Sequence, residues 1–278
     1  MRLVSCLILC LFAGSAFAAF PCSYSAERNL DIDPAGLHAL VLKLGSSDLK
    51  ARGVPGLARI EVRGKACASE ESKLAALTID QSRNGDRLTV TPNQASAQTF
   101  SVFGSNYAYI DLEVRVPATL PVEVKASSGD ADIADIAALD FDSHSGDLIV
   151  HHVSSDVVVE VHSGDVKADD LGSLEVRRAG SGDVHARNVH GEVKVGHIGS
   201  GDLGFDDVAK SVRVESVGSG DITVNRAGGD VVIGSIGSGD VNVSDIGGDF
   251  TVQSAGSGDI HHHGVKGKIS VPRRHEND

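Results

Sequence analysis

Gly218-Ser219-Gly220-Asp221-Ile222-Thr223-Val224-Asn225-Arg226-Ala227-Gly228-Gly229-Asp230-Val231-Val232-Ile233-Gly234-Ser235-Ile236 is followed at once by a second Gly-Ser-Gly-Asp, at Gly237 to Asp240. Ser-Gly-Asp recurs eight times, with its aspartates at Asp130, Asp147, Asp165, Asp183, Asp202, Asp221, Asp240 and Asp259. The step from one aspartate to the next is 17, then 18 twice, then 19 four times. A fixed period of this kind marks a repeat array.

Aligning the units on those aspartates exposes apolar columns. One residue after Asp stand Leu148, Val166, Val184, Leu203, Ile222, Val241 and Ile260. Three after come Val150, Ala168, Ala186, Phe205, Val224 and Val243, and six after come Val153, Leu171, Val189, Val208, Ala227, Ile246 and Val265. Ten and twelve after, the rhythm repeats, as in Val193 and Val195 or Val212 and Val214. Apolar residues at one and three with a polar residue between are strand alternation, and a 3.6-residue helical period is absent. A unit this short cannot bury its apolar face alone, so neighbouring units must stack. The predicted fold is all-β: a single-stranded parallel β-solenoid of 17–19-residue coils with a β-rich N-terminal cap. Equivalent residues then lie about 4.8 Å apart, which makes the repeat body roughly 35 Å long.

Two compositional facts agree. No proline occurs between Pro121 and Pro272, where a ladder strand would lose a donor. Of the 32 glycines, 24 lie after residue 125, where tight corners demand positive φ or close backbone approach. The chain has 278 residues, a formal net charge of -13, 41% hydrophobic residues, 4% aromatics and no tryptophan. That composition is globular rather than disordered. The acid excess argues against nucleic acid as a partner, which requires a basic footprint.

Arg2, the apolar run Leu3 to Phe12 and Ala16-Phe17-Ala18 read as a signal peptide over residues 1–18, which predicts export to the periplasm, the cell surface or the extracellular space of a bacterium. Cys22 follows Ala19-Phe20-Pro21, a poor context for lipidation. No later stretch is long enough and apolar enough to span a bilayer as a helix. Cys6 and Cys10 leave with the signal, so Cys22 and Cys67 either pair as one disulfide or remain as two buried thiols.

Residues 19–120 form the β-rich cap region, 121–272 the repeat domain and 273–278 a polar tail. Within the cap, Ala58 to Val62 alternates, Leu74 to Asp80 and Arg87 to Thr91 form a hairpin about Asn84-Gly85, and Tyr107 to Val116 is a further strand. The cap covers the open edge of the first coil. At the other end His262 enters a core column, and Pro272 with the charges after it blunts the last edge.

Val114-Arg115-Val116-Pro117, then Leu120-Pro121-Val122-Glu123-Val124, leading into Ser128-Gly129-Asp130 and the later Ser-Gly-Asp-(Val/Ile) units, resembles the bacterial "putative adhesin" family of β-strand-repeat proteins. The same residues are similar to the head domains assigned to auto-transporter adhesins. The resemblance covers residues 110 to 271 and implies an exported, right-handed β-solenoid with no established activity and no catalytic residues to carry over. Unlike an auto-transporter, this sequence carries no C-terminal membrane-barrel segment.

Two readings of the aspartate column compete. In one, glycine turns the corner and aspartate caps backbone N–H groups in Asx fashion. In the other, Asp130, Asp147, Asp165, Asp183, Asp202, Asp221, Asp240 and Asp259 line up as candidate Ca²⁺ ligands. Like carboxylates about 4.8 Å apart repel by roughly 0.9 kcal/mol each in water-like dielectric and about 3.5 kcal/mol when half-buried. The calcium-binding β-roll unit has nine residues and a spacer between Gly and Asp, which is missing here. His144 and His162, each three before an Asp, should stack; His261 to His263 form a second cluster; neither shows three converging metal ligands. Asp169-Asp170 and Asp206-Asp207 read as solvated corner residues or as an acidic patch.

Three functions are compatible with this pattern. The first is a non-enzymatic adhesin-like or cell-envelope binding protein that makes weak multivalent contacts. The second is a polysaccharide-active β-helix enzyme, which would want paired carboxylates and aromatic platforms. The third is a periplasmic stress or scaffold component, which the sequence does not separate from the first. No catalytic residue and no cofactor is assigned.

Overall fold

The structure is a computed structural model that describes residues 22–94 and 107–272. The expected signal peptide (residues 1–18) and polar tail (residues 273–278) lie outside the described residues. In chain order the first strands are β1 (Tyr24–Ile32), β2 (Ala39–Gly45), β3 (Leu49–Val54) and β4 (Ile60–Ala68). The short helix α1 (Glu71–Leu74), β5 (Thr78–Asn84), β6 (Arg87–Asn93) and β7 (Ala108–Pro117) follow. The repeats begin with β8 (Val122–Ala126), β9 (Ala131–Ala134), β10 (Leu139–Ser145), β11 (Leu148–Ser163) and β12 (Val166–Ser181). They continue as β13 (Val184–Val189), β14 (Val193–Ser200), β15 (Leu203–Val208), β16 (Val212–Ser219), β17 (Ile222–Ala227) and β18 (Val231–Ser238). The rod ends with β19 (Val241–Ile246), β20 (Phe250–Ser257), β21 (Ile260–His263) and β22 (Ile269–Ser270).

The expected solenoid is present. Pairing between consecutive coils is parallel and in register: Leu203 lies against Ile222, Ile222 against Val241, and Val212 against Val231. The departure among the repeats lies in β11–β12, where shifts after Val153 and after Val159 absorb the shorter early units. They place Leu174, nine residues after its aspartate, in the column that Val193 and Val212 continue. The apolar columns close into one core running from Leu40 to Val252, with Phe141, Phe205 and Phe250 fully buried.

The N-terminal region contributes more than a lid. β2 and β3 form a coil of their own, and it sits out of chain order. β2 pairs in parallel with both β6 and β8, and β3 with both β7 and β9. Beyond them β1, β4 and β7 pair antiparallel, and β5 with β6 forms the hairpin about Asn84-Gly85. The hairpin strand starts at Thr78, because Leu74 belongs to α1. Leu74 and Leu77 pack against the end of the core, and Arg28 donates to the Leu77 and Leu74 carbonyls at 2.5 and 2.7 Å. The Cys22–Cys67 disulfide, with Cα atoms 5.7 Å apart, fastens the start of the described chain to β4.

The corner before each motif aspartate explains the invariant spacing of glycine. Gly146, Gly164, Gly182, Gly201, Gly220, Gly239 and Gly258 have φ between 115° and 143°. A Cβ at any of them would overlap the carbonyl oxygen of the equivalent glycine one coil back. Conformation and space exclude a side chain independently. Gly201→Ala should therefore lose on the order of 3 kcal/mol or more, strain plus clash. Gly45→Ala has only left-handed strain to meet, since nothing lies within 4 Å of a Cβ there, and should lose about 1 kcal/mol. Urea denaturation of the two variants measures the difference; equal losses would contradict the packing argument.

Candidate functional site

The eight motif aspartates stand in one line along the rod. The Oδ1 of each of the first seven accepts a hydrogen bond from the backbone N–H of the next aspartate. Asp147 donates to Asp130 at 2.9 Å, Asp165 to Asp147 at 2.9 Å, and Asp183 to Asp165 at 2.9 Å. Asp202 donates to Asp183 and Asp221 to Asp202, both at 2.8 Å. Asp240 donates to Asp221 and Asp259 to Asp240, both at 2.7 Å. The cap is thus thrown from one coil to the next rather than within one turn. Each bond is charge-assisted and satisfies a corner N–H that the strand ladder does not use.

The line is longer than the motif. Asp130 donates to Asp48 Oδ1 at 2.9 Å, and the Asp48 N–H in turn bonds the Asp111 carboxylate. Neither residue follows a glycine, so the Ser-Gly-Asp pattern does not reveal them. Ser47 occupies the glycine position before Asp48 and is fully buried. Gln94 clamps that corner, accepting from Ser46 and donating to Ser47, both at 2.7 Å. A second, shorter line runs along the other corner, from Asp249 to Asp230 at 2.9 Å and from Lys268 to Asp249 at 2.7 Å.

A third column, five residues after each motif aspartate, is left-handed: Asp135, His152, Asp170, Asn188, Asp207, Arg226 and Asp245 have φ of 54–62°. Asp and Asn tolerate this region best, which accounts for the second member of Asp169-Asp170 and of Asp206-Asp207. These acids do not form an acidic patch, because the next coil answers them. Arg187 lies 3.1 Å from Asp169, Asn188 donates to Asp169 at 2.8 Å, and His190 meets Asp170 at 2.7 Å. Arg226 binds Asp207 through two contacts of 2.5 and 2.8 Å. Burial acts to raise the Asp169 carboxyl, yet the bonds from Asn188 and Arg187 outweigh it and hold it below the ordinary range. Arg226 likewise holds Asp207 low.

His144 and His162 stack as expected, with ring centroids 4.9 Å apart. His262 is in register with Val243 but stays exposed, because it lies in the last described coil. Among the described residues no three His, Cys, Asp or Glu side chains converge in a way that would hold a metal ion.

At the head of the aspartate line an open groove of about 600 Å³ lies on the outer face, lined by Asp48, Lys50, Lys65, Asp111, Asp130 and Asp132. Asp132 Oδ2 accepts from Arg52 at 2.6 Å, while its Oδ1 is buried without a hydrogen-bond partner among the described residues. Asp111 is half-buried. Burial and the Asp48 charge raise its carboxyl, against the opposing pull of Lys65 and the Asp48 N–H.

A family model described as Toastrack DUF4097 matches residues 58–245. The chain belongs to this family. Solved structures similar to this Toastrack chain include a "putative adhesin" of Bacteroides fragilis, 14% identical, covering 91% of this chain and 99% of that one with a TM-score of 0.47. A "putative lipid binding protein" of Parabacteroides distasonis is 13% identical over 89% and 97% of the two chains, with a TM-score of 0.46. A "putative cell adhesion protein" of Clostridium sporogenes is 16% identical over 90% and 100%, with a TM-score of 0.34. At such identities the neighbours' names remain theirs alone. No curated protein matches the sequence. None of the helices among the described residues of the Toastrack chain is long and apolar enough to cross a membrane.

Two substitutions separate the roles of the aspartates. Asp202→Ala should cost about 1–2 kcal/mol, the usual loss for a missing cap. Asp202→Asn keeps an acceptor and should cost a few tenths of that. Denaturation in chelator and again in millimolar Ca²⁺ checks it: stabilisation by Ca²⁺ that Asp202→Asn removes would make the line a cation site. At Asp111 the folded protein holds its proton more tightly than the unfolded chain does. Stability from this group is full below the ordinary aspartate range and is lost as pH rises through the raised value. Asp111→Asn should melt higher than wild type at pH 8, and the gain should vanish below about pH 4; a pH-independent difference would contradict this.

Proposed function

We propose that this Toastrack protein is an exported, non-enzymatic binding rod of the bacterial cell envelope. The observation that carries the reading is the register. Positions two residues after each motif aspartate lie on the outer face in register from coil to coil, as in Lys167, His185, Gly204, Thr223 and Asn242. A surface of this kind binds by repetition: each contact is weak, and many are made at once. The carboxylates most available for chemistry are already engaged in holding coils together, which favours an architectural role for them. The Cys22–Cys67 disulfide suits an oxidising compartment, in keeping with the signal peptide expected from the sequence.

The test combines location with length. Fractionation and protease treatment of intact cells should place the protein in the periplasm or on the surface. Deleting Asp221 to Gly239 removes one whole repeat unit and leaves the register intact. The shortened rod should fold, and it should bind isolated cell envelopes more weakly than the full rod. A cytoplasmic protein, or envelope binding that ignores rod length, would refute the proposal.

A further inference from the structure

The broad outer face made by β8, β10, β11, β12, β14 and β16 carries its charges unevenly. Parallel register fixes one column through Glu123, Asp140, Val158, Glu175, Lys194 and Arg213. A second column runs beside it through Lys125, Asp142 and Glu160. It continues through Arg177 and Arg178 at the bulge, with Gly196 and Glu215 in the two coils beyond. None of these residues is buried. Acids gather on the N-terminal half of the face and bases on the C-terminal half. Like charges even stand directly on one another: Glu123 on Asp140, Asp142 on Glu160, and Lys194 on Arg213. Same-sign neighbours in register are destabilising. Some find relief within the chain. Arg87 pairs with Glu123, Arg177 lies 3.4 Å from Glu175 and 4.0 Å from Asp140, Lys194 lies 2.6 Å from Glu192, and His197 lies 3.7 Å from Glu215. Lys125, Asp142, Glu160 and Arg213 have no hydrogen bond or ion pair among the described residues. Burial raises the Asp140 carboxyl against the pull of Arg177, and the charge of Glu123 adds to the rise.

We propose that this face binds a second copy of the chain, the two rods lying side by side and antiparallel. The two-fold axis runs along the strands, between Val158 and Glu175. Such an axis reverses the order of the coils and keeps each column over itself. Glu123 then faces the partner's Arg213, Asp140 the partner's Lys194, and Val158 the partner's Glu175. In the second column Glu160 faces the partner's Arg177 and Asp142 the partner's Gly196. Lys125, the base of the acidic half, falls on the partner's Glu215, an acid of the basic half. No two like charges face each other, and the axis repeats every pair. A contact of this self-complementary kind closes at two copies. Six coils at about 4.8 Å make it about 24 Å long, and charge holds it, so salt weakens it. The face that carries Lys167 and His185 stays outward on both copies. The dimer does not depend on what the rod binds.

Light scattering of the chain freed of its expected signal peptide, over a concentration series in low salt, should reach a mass twice that of one chain. Salt of about 1 M, where the Debye length is about 3 Å, should return it to one chain. Lys194→Glu should do the same in low salt with an unchanged circular dichroism spectrum. Adding Asp140→Lys to that variant should restore the dimer, because the exchanged charges meet across the axis and stand three coils apart within one rod. A monomer at every concentration, an assembly that grows past two, a dimer unmoved by Lys194→Glu, or a double variant that stays monomeric would overturn the proposal. Should a variant fail to fold, cross-linking decides instead. Val158→Cys, beside the axis, should be joined to its copy by a thiol-specific linker of about 10 Å, the spacing of stacked sheets. Thr223→Cys, on the other broad face, should not. No link at position 158, or equal linking at both positions, refutes the contact.

Discussion

Everything in this molecule depends on the closeness with which one coil lies on the next at the Ser-Gly-Asp corner. There the glycine carbonyl of one coil fills the space that a Cβ of the following glycine would need. The aspartate beside it reaches across the same gap to the next backbone N–H. One residue supplies closeness and the other makes closeness bind. Glycine without the carboxylate would leave a polar donor bare. The core columns are filled mainly by small, β-branched and leucine side chains, with Phe141, Phe205 and Phe250 as the large members.

The acid excess takes on a different meaning once the corners are visible. Much of it is spent in three lines of carboxylates with separate tasks. The Ser-Gly-Asp line and the shorter Gly-Asp line cap backbone donors. The left-handed line relies on Asp and Asn for their tolerance of positive φ, and Arg226 and His190 of the next coil bind its Asp207 and Asp170. The negative charge is thus largely a by-product of corner geometry, so it says little about what the surface recognises.

The period, the columns and the corner residues were legible in the sequence because they recur, and recurrence converts a weak local preference into a firm pattern. What did not recur was not legible. Asp48 and Asp111 extend the aspartate line without a glycine before them; only their register with Asp130 reveals them, and register is a property of pairing across long stretches of chain. The same holds for β2 and β3, whose place between later strands no local pattern encodes. Leu174 escaped because the bulge in β11–β12 moves it one step from its column. The groove at Asp111 and Asp132 was invisible for a related reason: it is assembled by strands that lie far apart along the chain. The Asp169-Asp170 and Asp206-Asp207 pairs were readable as corner residues, but their cationic partners lie a full coil away.

A stack of near-identical layers has an ambiguity of its own. Sliding the later units by one whole coil would set glycine on glycine, aspartate on aspartate and valine on valine, at almost no local cost. The irregular units remove that freedom. The shorter early intervals, and the double register shift in β11–β12 that absorbs them, fit together in only one way. The coil of β2 and β3, locked between strands made later in the chain, is equally unrepeatable. The imperfect early turns therefore act as an index mark: they tell a chain of interchangeable parts where to begin counting.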